Sequence, residues 1–176
     1  MQKKMMKKFL GGLALVFVFM SMAQASINIF AYSREAPVTK IYDSYGRSAS
    51  LQDFGDDFII AVFWSKTCIP CLREMRDLNA FSNKVKDNGV KVIIISSEKD
   101  WYSREEQVEL LRKYGGEDLD FYVDRNSALA NEFGIFTSPH AVLIDTHNME
   151  IGRIRGAVDW DDSDVEEYIY KLKAQN

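Results

Sequence analysis

The sequence predicts an α/β fold in three layers, with a mixed central sheet and helices on both faces. Three observations carry this. Residues 58–64 are a short, continuously apolar run, and 90–95 are a second one broken only by Lys91; both suit strands covered on both sides. The stretches between and after such runs repeat their apolar residues every three or four positions, as a helix packed by one stripe does. The chain closes on two strand-like segments and a last helix, so parallel crossovers are followed by an antiparallel pair.

Taken in order, residues 26–39 show no clear period, although Ile27, Ile29 and Tyr32 allow an edge strand. Residues 41–46 read as a short strand and turn, and 48–57 as polar and turn-rich. After the 58–64 strand, Leu72, Met75, Leu78, Phe81 and Val85 mark a helix over 70–88, with Gly89 as its left-handed stop. The 90–95 strand follows. Ser103 to Glu106 has the form of a capping box opening a helix through Val108, Leu111 and Tyr114, which ends at Gly115-Gly116. Residues 119–123 read as a third core strand. Residues 126–133 read as a short helix capped by Asp124 and stopped by Gly134. Residues 141–144 and 151–155 form a strand pair across the turn at Thr146-His147-Asn148, the second strand being more polar and expected at the sheet edge. Ser163 to Glu166 reads as another capping box, opening a final helix through Val165, Tyr168, Ile169 and Leu172.

The chain has 176 residues, 47% of them hydrophobic and 27% charged, with three prolines. That is the composition of one globular domain. Its net charge is −4 even though Lys3, Lys4, Lys7 and Lys8 crowd the first ten residues, so the remainder is more acidic still. Such a balance excludes a nucleic-acid footprint. The basic run, the apolar run 9–20 and Ala23-Gln24-Ala25 together form a secretory signal pattern. We therefore expect a signal peptide over 1–25, a domain over 26–176, a periplasmic location and no stable membrane insertion after cleavage. The alternative is an uncleaved N-terminal anchor, but the apolar run is shorter than the roughly 20 residues that a span needs.

The two cysteines of the chain, Cys68 and Cys71, sit where the 58–64 strand turns into a helix. A thiol at a helix start faces unpaired N–H groups and the positive end of the dipole, which stabilise its thiolate. The spacing puts Cys71 one turn on, beneath Cys68. We expect Cys68 to attack a partner disulfide and Cys71 to resolve the mixed disulfide. Pro70 suits the first turn, where its missing N–H costs nothing. A purely structural bridge is a poor alternative, because closing two intervening residues restrains the unfolded chain little. A four-coordinate zinc site would need two further ligands, and only His140 and His147 are candidates.

Trp64, Cys68-Ile69-Pro70-Cys71, Arg73-Glu74-Met75, the extra helix over 103–114, Phe133-Gly134, Ser138-Pro139 and Leu143-Ile144-Asp145 together resemble the thioredoxin fold. More narrowly, they resemble its exported TlpA/ResA-like branch, over residues 45–172. The resemblance implies a thioredoxin-like sandwich whose extra helix is inserted between the second and third core strands. It also implies a thiol–disulfide oxidoreductase acting on protein clients, with a membrane electron donor or acceptor and often a part in cytochrome c maturation. No organic cofactor or metal is expected. Pro139 matches the family's cis-proline, beside which Ser138 offers its backbone to a client, with Thr67, Ile69 and Pro70 completing the rim. Glu74 matches an acidic residue that tunes thiol protonation; a solvated helix charge is its plainer reading. The chain departs from the family at Thr67, where a second tryptophan is usual. It also has Val62 where many thioredoxins carry a buried aspartate.

Other features have plainer readings. Trp64 suits packing beside the cysteines. Trp101, Tyr102 and Trp160 suit loops or packing, His140 suits a neutral loop position, and the aspartates at 159, 161, 162 and 164 suit a helix N-terminus. Two other functions compete with exchange. One is a copper carrier using Cys68, Cys71 and a histidine, although such carriers usually place three residues between their cysteines. The other is a peroxide reductase, whose usual threonine spacing Thr67 does not match.

Overall fold

The computed structural model describes residues 25–176, so the signal-peptide expectation over 1–25 lies, but for Ala25, outside the described residues. Eight strands form one sheet in the order β1-β8-β7-β4-β5-β6-β2-β3. They are β1 (Ser26–Glu35), β2 (Ile41–Asp43), β3 (Ser48–Ala49), β4 (Phe58–Phe63), β5 (Val90–Ser97), β6 (Asp120–Asp124), β7 (His140–Ile144) and β8 (Met149–Arg155). Among the described residues, four α-helices complete the fold: α1 (Ile69–Val85), α2 (Arg104–Tyr114), α3 (Ala128–Phe133) and α4 (Ser163–Gln175). The pairs β4–β5 and β5–β6 are parallel, whereas β4–β7 and β7–β8 are antiparallel. This is the predicted mixed sheet, with α2 as the extra helix between the second and third core strands. No described helix is long and apolar enough to cross a membrane.

Side chains of β4 divide by the two-residue period of a strand. Phe58, Ile60 and Val62 pack with α1, α2 and α4, while Ile59, Ala61 and Phe63 pack with α3 and Leu51. The α1 stripe is as predicted, with Met75, Leu78, Phe81 and Val85 all buried, and Gly89 follows in the left-handed region at φ 69°.

Three expectations need correction. First, β8 is not an edge strand: β1 pairs along its outer side, and residues 150–154 are buried. The chain comes this close because residue 152 is glycine. A Cβ there would lie 2.7 Å from Ile29 Cδ1 and 2.8 Å from the Asn28 carbonyl oxygen. The polar residues of β8 are paired rather than solvated. Glu150, with no exposure, accepts hydrogen bonds from Arg34 Nε and Arg153 Nε, each at 2.6 Å. Second, α4 is capped by Asp162, whose side chain accepts the Asp164 N–H, so Ser163 lies inside the helix instead of capping it. Third, the capping box at α2 is half made: Ser103 Oγ accepts the Glu106 N–H, but the Glu106 carboxylate takes the Tyr102 N–H and Lys66 instead.

Candidate active site

At the end of β4 the backbone continues through Trp64, whose N–H donates to the Ile95 carbonyl, into the turn Ser65-Lys66-Thr67. The turn closes with the Cys68 N–H on the Ser65 carbonyl at 3.0 Å. Cys68 is the N-cap of α1, and its Sγ accepts the Cys71 N–H at 3.3 Å. The two sulfurs form a disulfide, with Cα atoms 5.3 Å apart. Their access differs: Cys68 is half-buried at the surface, whereas Cys71 is 1% exposed. Thr67, Ile69 and Pro70 are exposed around Cys68, Ile69 at 61%. A visiting sulfur can therefore reach Cys68 and not Cys71, and the helix N-terminus stabilises negative charge on Cys68.

The antiparallel pairing of β4 with β7 sets His140 opposite Phe63. This register brings Ser138 and Pro139 alongside the turn that carries the cysteines. The Ser138–Pro139 peptide bond is cis; Pro139 is buried and Ser138 exposed. His140 is not a loop residue but the first residue of β7, 4% exposed. Burial, with Arg153 and Arg155 nearby, depresses its pKa to about 4, so the ring is neutral at neutral pH.

Glu74 is not the solvated charge its plainer reading suggested. It lies in α1 three residues after Cys71, on the same buried face, and is 6% exposed. Burial raises its carboxyl from the ordinary 4.5 to about 7. The Val158 N–H, which donates to Oε2 at 2.8 Å, pulls the other way. So does the nearby Trp160 indole N–H, although it stands outside hydrogen-bonding geometry to any described acceptor. A carboxyl with a pKa near the ambient pH can both take and return a proton. Sequence reasoning found Glu74 but not its partners, because Val158 acts through its backbone and lies 84 residues away.

The inserted segment buttresses the other side of the turn. The rings of Trp64 and Trp101 lie 5.6 Å apart, and each packs on Phe121. Lys66 Nζ sits over the rings of Trp101 and Tyr102 and pairs with Glu106 Oε1 at 2.5 Å. Trp64, 4% exposed, is thus a packing residue, as expected. Sequence reasoning missed Lys66, since a lone lysine in a turn carries no periodic signal.

The Redoxin family profile matches residues 31–169. The chain belongs to the Redoxin family. It is 28% identical over 141 residues to the thiol-disulfide oxidoreductase ResA of Bacillus thuringiensis subsp. konkukian, covering 79% of this chain and 77% of that one. Among solved structures, a thiol:disulfide interchange protein from Bacteroides sp. superposes with a TM-score of 0.64 at 24% identity, covering 80% of this chain and 91% of that one. StoA from Bacillus subtilis gives 0.58 at 20%, covering 76% and 98%. These two likenesses establish the thioredoxin-like fold. Family, fold and relatives, together with the Cys68–Cys71 pair, make this protein a ResA-like thiol–disulfide oxidoreductase.

Proposed function

We propose that this Redoxin-family protein is exported to the periplasm and reduces disulfides in client proteins through Cys68 and Cys71. The observation that carries the reading is the difference in access between two bonded sulfurs at one helix start. In the reduced protein, the Cys68 thiolate attacks a client disulfide. A Cys68–client disulfide forms, and one client sulfur leaves as a thiolate that takes a proton from water. Cys71 then gives its proton to the Glu74 carboxylate and attacks Cys68 Sγ. The second client sulfur departs, leaving the Cys68–Cys71 disulfide and a client reduced by two electrons. Ser138 and the rim residues Thr67, Ile69 and Pro70 receive the client chain beside Pro139. A membrane thiol donor restores the dithiol, and cytochrome c maturation is the setting the family resemblance suggests. The signal pattern in residues 1–25 supports export.

Cys68→Ser should abolish exchange, whereas Cys71→Ser should accumulate mixed disulfides, resolved by mass spectrometry after alkylation. Native exchange rates in Cys68→Ser would sink the assignment of the nucleophile. The equilibrium reduction potential tests the direction. A value of about −270 mV or lower fits a reductant, and one of about −120 mV an oxidant.

A further inference from the structure

Next to the dithiol, a cleft of about 260 Å³ opens at the carboxyl ends of β4 and β5, sharing Trp64 and Ser138 with the site described above. Phe63, Trp64 and Ile95 supply its apolar lining. Ser97, Ser127 and Asn131 supply polar groups, and Phe136, 83% exposed, stands with Thr137 on the loop leading to Ser138.

The cleft is built rather than incidental. Asn126 and Ser127 hold φ of 54° and 52°, a left-handed conformation that non-glycine residues adopt at a cost. It brings Ser127 Oγ to 3.3 Å from Ser97 Oγ. The same wall is braced by Asp124, 2% exposed, whose two carboxylate oxygens accept the Leu129 and Ala130 N–H groups. Asp124 is the one ionisable lining residue, and both its oxygens are thus engaged. The volume is below that of pockets for whole small molecules, roughly 300–1,000 Å³, and suits a single large side chain. An apolar lining with hydroxyls and an amide, and no free counter-charge, admits a neutral ring or chain with a polar tip. A full charge would lose its hydration there without gaining a partner.

We propose that this cleft is a client-recognition subsite that takes one neutral, preferably aromatic side chain a residue or two from the client's reacting cysteine. The proposal rests on the dithiol reading and adds the substrate class to it. A client strand laid along Ser138 is carried directly over the cleft, so its side chains alternate toward and away from it.

The test uses disulfide-bonded peptides carrying Tyr, Ala, Lys or Glu at each position within two residues of the cysteine, with a small aromatic disulfide as a separate substrate. Reduced wild-type protein should react with the Tyr peptide about tenfold faster than with the Ala peptide at one of these positions, and slowest with Lys and Glu. Ala130 also lines the cleft, so Ala130→Leu, which narrows it, and Phe136→Ser, an exposed change that cannot upset the core, should each collapse the Tyr/Ala ratio toward one. Equal rates for all four peptides at every position, while the small disulfide still reacts, would overturn the subsite alone. So would a ratio that survives in folded Ala130→Leu and Phe136→Ser. Failure to react with any disulfide, the small one included, would overturn both the subsite and the dithiol reading beneath it.

Discussion

Replacing Glu74 by Gln should stabilise the oxidised protein above neutral pH and not below pH 4.5. Raising a buried carboxyl from 4.5 to about 7 corresponds to about 3 kcal/mol between its neutral and charged forms. The folded chain holds this proton more tightly than the unfolded chain. Its contribution to stability is therefore fully present below pH 4.5 and falls by about 1.4 kcal/mol per pH unit until pH 7. Gln at the same place still accepts the Val158 N–H but carries no charge. Its unpaired amide N–H groups cost about 1 kcal/mol at every pH. Glu74→Gln should thus be about 2 kcal/mol more stable than wild type at pH 8 and about 1 kcal/mol less stable at pH 4. His140 complicates the raw curves, since its depressed pKa adds stability that is present above pH 6.5 and lost as pH falls toward 4. Both proteins carry His140, so the difference between their urea-unfolding free energies at matched pH isolates Glu74. A difference that stays constant from pH 4 to 8 would refute a buried carboxyl titrating near neutrality. In kinetics, the same substitution should remove a pH dependence centred near 7 from the resolution of mixed disulfides by Cys71.

Two further expectations concern the outer sheet. Glu150→Ala leaves Arg153, 7% exposed, without its carboxylate, and should cost about 3–5 kcal/mol in urea unfolding; a loss below about 1 kcal/mol would show that the pair does not carry β8. Gly152→Ala should cost about 1–3 kcal/mol, because the new methyl meets Ile29 and the Asn28 carbonyl. Thermal unfolding measures that cost, and exchange by Cys68 should persist in the folded fraction, since the contact lies on the outer strands.

Most of the strand and helix order was legible because its signals are local. The 58–64 run, the Leu72-to-Val85 stripe and the stop at Gly89 each state their own structure within one segment. Predicting β8 as an edge strand failed for a reason in the same terms. Glu150 and Arg153 look like solvent-facing residues until their mutual pairing and β1 are in view. The Glu106 capping box failed because a cation, Lys66, 40 residues away competes for the same carboxylate.

What the sequence alone determined is the pair of sulfurs one helical turn apart at a strand's end, and the alternation that builds a sheet behind them. Spacing along a helix and the parity of a strand fix such relations without any distant contact. Only the tertiary structure decided that Glu74 is buried against Val158 and Trp160, that β1 closes over β8 at Gly152, and that a cleft opens beside Ser138. Burial and the desolvation that follows depend on which remote segment covers a face, and a residue's own neighbours in the chain carry no record of that.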